Sequence, residues 1–177
     1  VTLLLGVIII LIVIGLLILL AYLIALSIKG RNRLRDEARA RGAYAVITAE
    51  HFEGLGINKE WCKIFALELE MQIESTTTRM AFHIPVDRIR SVLVKNSKQL
   101  IEMDSTLRSH MLLGGPEALK ASKENMFLYI IINYESGAGE LRRVLFRAEA
   151  GSFGLGPFIF KVNNNLAAAQ AGRIIDL

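Results

Sequence analysis

The sequence predicts one N-terminal transmembrane helix followed by a mostly antiparallel β-barrel or β-sandwich domain that closes with a C-terminal helix. Three observations predict it. Residues 3–28 carry no charged side chain and are rich in Leu and Ile. After Gly42 the apolar spacing changes from helical to period two. Residues 163–175 are Ala-rich and return to helical composition.

The apolar run is long enough to cross a bilayer. Its 26 residues span roughly 39 Å as a helix, against a hydrocarbon core of about 30 Å. A cleaved signal sequence has a basic lead and an apolar stretch of about 7–15 residues. This run has neither, so an uncleaved anchor over residues 1–28 is expected. The next thirteen residues hold Lys29, Arg31, Arg33, Arg35, Arg39 and Arg41 against Asp36 and Glu37. Basic residues collect on the cytoplasmic flank of a span. The expected topology is therefore N-terminus outside, with everything after Ile28 on the cytoplasmic side of the inner membrane.

Charge arithmetic sharpens this reading. The chain has 21 basic and 17 acidic residues, a net charge of +4. Residues 29–41 carry that entire excess, and the 15 basic and 15 acidic residues elsewhere cancel. A pI near 9.4 would ordinarily suggest nucleic acid. Here the excess lies beside the bilayer, where anionic lipid attracts each Lys or Arg by about 1 kcal/mol. Lys29, Arg31, Arg33 and Arg35 are expected at anionic headgroups, and no nucleic-acid partner is expected. Within the span, Gly15 and the pair Ala21 and Ala25 are small enough to let another helix approach. No His, Asp, Glu, Lys or Arg lies inside it, so it offers neither a proton relay nor an ion site. Residues 29–41 are expected to continue as a basic juxtamembrane helix, with Glu37 spaced i,i+4 from Arg33 and Arg41 and Gly42 as the stop.

Residues 42–177 form the third segment. Residues 43–49 are β-rich, and Gly54, Gly56 and Asn58 mark a turn. In 65–73, Leu67, Leu69, Met71 and Ile73 alternate with Glu68, Glu70 and Gln72, the pattern of one half-buried strand. A polar turn at 75–78 leads to a return strand over 78–84, ended by Pro85. Further strands are expected over 89–94, 100–103 and 125–134. A hairpin loop at 136–139 then leads to a partner strand over 140–147. Residues 107–124 are less regular, with a short helix possible from Pro116. The glycines at 151, 154 and 156 read as a turn between strands, and Asn163 to Asn165 as caps of the closing helix.

Chemistry-bearing patterns are sparse. His51, His83 and His110 form no metal-spaced pair and read as structural histidines. The single cysteine, Cys62, excludes an intrachain disulfide and reads as a small buried thiol. The glycine order at 151–156 is reversed from the dinucleotide fingerprint. No cofactor, metal or catalytic residue is expected, and the chain is not expected to be an enzyme.

Two family patterns bear on the domain. Arg31-x-x-x-Arg35 followed by Gly54 partly resembles the PilZ pattern for cyclic di-GMP. Ala49 and His51, however, stand where that family places Asp or Asn and Ser, so the binding is not expected. A broader pattern covers about residues 43–175: Phe82-His-Ile-Pro-Val-Asp-Arg-Ile-Arg-Ser-Val92, then Phe127-Leu-Tyr-Ile-Ile-Ile-Asn-Tyr134 and Leu141-Arg-Arg-Val-Leu-Phe146, then a final helix. It resembles bacterial membrane-anchored pleckstrin-homology-like domains. That resemblance implies a bent barrel used for binding or scaffolding, without catalysis.

The functional expectation is a non-catalytic accessory or scaffold subunit whose partners are other membrane protein subunits. Photosynthetic, respiratory, secretory and envelope assemblies all fit. The alternative is a membrane-anchored module that senses a ligand or lipid.

Overall fold

The computed structural model describes residues 2–96, 99–100, 127–149 and 154–175. The chain divides into two compact units, Val1–Arg41 and Gly42–Leu177.

The first unit is one helix, α1 (Thr2–Ala40). Leu, Ile and Ala dominate it, and no proline interrupts it. It is long and apolar enough to cross a membrane. At 39 residues it measures roughly 58 Å, so the basic flank belongs to the same rod as the apolar run. The stop is local. The Arg41 N–H donates to the carbonyls of Glu37 and Ala38, both at 3.2 Å. Gly42 then takes φ +72°, a left-handed stop that glycine adopts without Cβ strain. The Arg41 guanidinium also pairs with Glu37 at 2.9 Å, the i,i+4 spacing.

The second unit is a seven-stranded sheet with a closing helix. The strands are β1 (Ala45–Glu53), β2 (Trp61–Ala66), β3 (Glu70–Ser75), β4 (Ala81–Pro85), β5 (Ile89–Asn96), β6 (Phe127–Glu135) and β7 (Leu141–Glu149). A single 3-10 turn, Val86–Arg88, links β4 to β5, and helix α2 (Leu155–Ile175) ends the unit. The spatial order is β4-β3-β2-β1-β7-β6-β5, and every ladder is antiparallel. Two meanders, β1 to β4 and β5 to β7, are hydrogen-bonded to each other, among the described residues, where β1 pairs with β7. The order is linear, with β4 and β5 at its edges among the described residues; because the three-residue turn Val86–Arg88 joins those two edges, the sheet bends round on itself instead of lying flat.

One face of every strand points into a common core. Ile47, Ile64, Ile73, Ile84, Val92, Ile130, Val144 and Phe146 meet Leu155, Phe158, Val162 and Leu166 of α2. The helix residues recur at three- and four-residue spacing, so they share one stripe. β6 also packs its other face: Tyr129 and Ile131 join Leu145 and Leu100 in a second cluster, flanked by Phe52, Leu93 and Phe127. This explains the unbroken apolar run of β6, since a strand buried on both faces has no reason to alternate.

Several expectations are corrected. Residues 65–73 are not one strand. The chain reverses at Glu68 and Leu69, the Leu67 N–H donates to the Glu70 carbonyl at 2.9 Å, and Leu69 is 81% exposed. The two-residue turn inverts the parity. Ile64 and Ala66 face inward before it, and their cross-strand partners Ile73 and Met71 face inward after it. Residues 99 and 100 are helical rather than extended; the rest of that strand, the segment 107–124 and His110 lie outside the described residues. The return strand begins at Ala81, because the turn runs through Arg79 at φ +57°. The glycines near 154 lead into a helix, not a strand, and Asn163 to Asn165 lie inside α2 rather than capping it.

Gly54 has a second duty besides its turn. It sits at φ +109°, beside a register shift between His51 and Glu53 in the β1–β7 ladder. A Cβ there would fall 2.1 Å from the Arg143 carbonyl oxygen and 2.8 Å from the Val144 Cα. Gly56 also has positive φ, +68°, but a Cβ there meets nothing within 4 Å. Gly54→Ala is therefore expected to destabilise the chain by at least ~2 kcal/mol, and Gly56→Ala by about 1 kcal/mol. Thermal melts of the two variants in the same detergent check this, and equal melts would remove the close-approach constraint.

Candidate binding groove

The groove follows from how α2 starts. Gly154 takes φ +103°, and its carbonyl accepts the Phe158 N–H at 2.8 Å, closing the first turn. Pro157 fits in that turn because its missing N–H would have no helical acceptor. From there α2 uses Phe158, Val162 and Leu166 against the core. The neighbouring stripe overhangs the ends of β5 and β6. There an open groove of about 450 Å³ is lined by Val94, Leu128, Leu155, Gly156, Ile159, Phe160, Asn163 and Asn164. Its floor is aliphatic, and Asn163 and Asn164 supply the polar lining. Phe160 is 67% exposed, a large ring left at the solvent boundary.

Beside the groove runs β5, an edge strand. It pairs with β6 on one side, and among the described residues no strand pairs with the other. Along β5 the charged residues are Arg90 and Lys95. Arg90 pairs with Glu135 on β6.

Elsewhere the polar groups brace the fold. Glu60 ties two loops together. Its carboxylate accepts the Ser75 hydroxyl at 2.6 Å, the Thr78 hydroxyl at 3.1 Å and the Thr78 N–H at 3.3 Å. The Ser75 bond is the main reason the Glu60 carboxyl is held below its ordinary 4.5, and the Thr78 bonds add to it against the opposing effect of burial. Buried His51 receives the Leu55 N–H at Nε2 and faces the Asn58 carbonyl through Nδ1, both at 3.2 Å. This pairing puts the ring proton on Nδ1 and leaves the ring edge-on to Phe146. Cys62 is fully buried, and its thiol is pushed up to about 11, first by burial and then by the Glu60 carboxylate. Such a thiol is no nucleophile at neutral pH. His83, on edge strand β4, pairs with Glu70 at 3.1 Å and is half exposed. Among the described residues no three His, Cys, Asp or Glu side chains gather as a metal would need.

The residues singled out from the sequence all lie on α1. Lys29, Arg31, Arg33 and Arg35 are exposed. At about 100° per residue, Lys29 and Arg33 share one side while Arg31 and Arg35 share the opposite one. They form a collar around the helix, not a stripe. Ala21 and Ala25 lie within about 40° of each other, but Gly15 is turned away from both by about 80–120°. All three are exposed, and nothing stands within 4 Å of a Cβ at Gly15.

The groove residues went unread in the sequence. The only signal was Phe158-Ile-Phe160. Three successive large apolar residues on a helix cannot all face one core, so one of them must line something else. No family model matches the chain, and no curated protein matches it.

Two measurements follow from the buried groups. Cys62 is expected to resist alkylation at pH 8 in the folded chain and to react within minutes once denatured; rapid native labelling would contradict its burial. The lowered carboxyl of Glu60 gives stability that is present above pH 4.5 and lost as pH falls through its folded-state value. Glu60→Gln should flatten that acid limb in melts recorded from pH 7 downward, whereas an unchanged limb would show that other carboxylates carry it.

Proposed function

We propose that this chain is a non-catalytic, single-pass scaffold subunit of a larger membrane complex. In this reading α1 holds it in the cytoplasmic membrane with its N-terminus outside. The collar of Lys29, Arg31, Arg33 and Arg35 meets anionic headgroups, which attract juxtamembrane cations by about 1 kcal/mol each. The small residues of the span meet a neighbouring helix. The domain works on the cytoplasmic side as a pleckstrin-homology-like binding module. Its meander order and closing helix support that fold type.

The observation that carries the reading is the apolar groove beside a sheet edge that no described strand pairs. A largely apolar cleft that leaves Phe160 in water is costly unless something covers it. The second reading, a sensor of a small ligand, draws on the groove's volume, which lies within the range of small-molecule sites. Among the described residues its lining carries no charged group of the kind a phosphate or headgroup requires.

Solubilisation in mild detergent followed by native mass measurement is expected to find this chain with at least one other subunit. A chain that runs alone, with no companion protein, overturns the scaffold reading. Protease added to sealed inside-out vesicles is expected to remove the domain, and protease added from the outer face is not. The reverse result overturns the orientation.

A further inference from the structure

We infer that the groove and the open edge of β5 act together as one site, which takes an extended segment of a partner protein as an eighth strand of the sheet. This rests on the scaffold reading and names the chemistry of its contact. An edge strand offers unpaired N–H and C=O groups in a row, and an extended chain satisfies them. Side chains of an added strand alternate between the two faces of the sheet. Those on the inner face, the face of Val94, enter the groove against Ile159 and Phe160. Those on the outer face stand beside Lys95, whose neighbour Leu93 belongs to the outer cluster. The segment is therefore apolar on alternate residues, with an acidic residue on its other face.

The same features disfavour other occupants. β5 reads Ile-Arg-Ser-Val-Leu-Val-Lys-Asn and carries no acidic residue. Two copies pairing antiparallel along β5 would bring the cations of both copies, Arg90 and Lys95, to one ladder with no acidic residue on either strand to offset them. A hydrocarbon chain would fill the groove but leave the β5 edge and the amides of Asn163 and Asn164 unmet. A peptide backbone supplies a partner for each.

Gly156 provides the test. A Cβ there meets nothing within 4 Å, so Gly156→Trp is expected to fill the groove without disturbing α2. Lys95→Glu reverses the charge and leaves the groove open. The full chain in lipid nanodiscs is challenged with a displayed library of random twelve-residue peptides. The expected result is enrichment of sequences alternating apolar residues with at least one Asp or Glu. Their binding should fall at least tenfold in Gly156→Trp and severalfold in Lys95→Glu, with melting unchanged in both. Hydrogen exchange should slow at β5 amides when such a peptide binds. Peptides that bind Gly156→Trp equally well, or that leave β5 exchange unchanged, overturn the inference. So does enrichment of no peptide, whether or not a fluorescent fatty acid binds in its place or the chain runs as a dimer through β5. Native mass measurement on Gly156→Trp separates the two proposals. A companion subunit retained there leaves the scaffold reading standing and the groove assignment wrong, and a wild-type chain without companions removes the scaffold reading itself.

Discussion

The domain depends on the ladder between β1 and β7. Glu50 pairs with Arg147 and His51 with Phe146 across almost a hundred residues of chain. Among the described residues this ladder hydrogen-bonds the two meanders into one sheet and so brings their inner faces to a common core. Each part of its surroundings serves it. Gly54 allows the closest backbone approach, His51 packs its ring against Phe146 while bracing the β1–β2 loop, and the Arg147 guanidinium lies on Glu50 and over the Phe127 ring. Loop closure over such a distance comes late and costs entropy before it returns any burial, so this fold is expected to form slowly compared with a helical domain of its size.

The groove is a by-product of how the core is shared. β6 buries both faces, so its half of the sheet is thick and apolar on each side. α2 covers the inner face with a single stripe from Phe158 to Leu166. A straight helix laid on a twisted sheet cannot follow it to every corner. At the ends of β5 and β6 the two surfaces part, and Val94 and Leu128 are left beneath Ile159 and Phe160. The packing that makes the core therefore also leaves a cleft beside the β5 edge of the sheet.

The ionisable groups follow a different logic. Glu60, His51 and Glu70 each spend their polar atoms on neighbouring loops or strands, and Cys62 is sealed away from water. Side chains committed in this way fix loop geometry. The groove is apolar, and the exposed side chains of Lys29, Arg31, Arg33 and Arg35 on α1 are cationic.

Features that depend on local solvation and local turns are legible in the residues alone. An uncharged run of 26 residues and a cationic flank describe α1 without reference to anything else. Gly42 stops it, the continuous apolar run marks β6, and Ser136 to Gly139 form the hairpin before β7. The remaining features arise from long-range packing. Leu67 to Ile73 alternates perfectly, yet it holds a reversal that neither Gly nor Pro announces, because pairing with β2 sets the parity of β3. The start of α2 was hidden because Gly154 and Pro157 read as breakers until the core offered Phe158 and Val162 a surface to cover. The groove was least legible of all. Its walls come from β5, β6 and α2, which are distant in the chain, and no local pattern records where two packed surfaces separate.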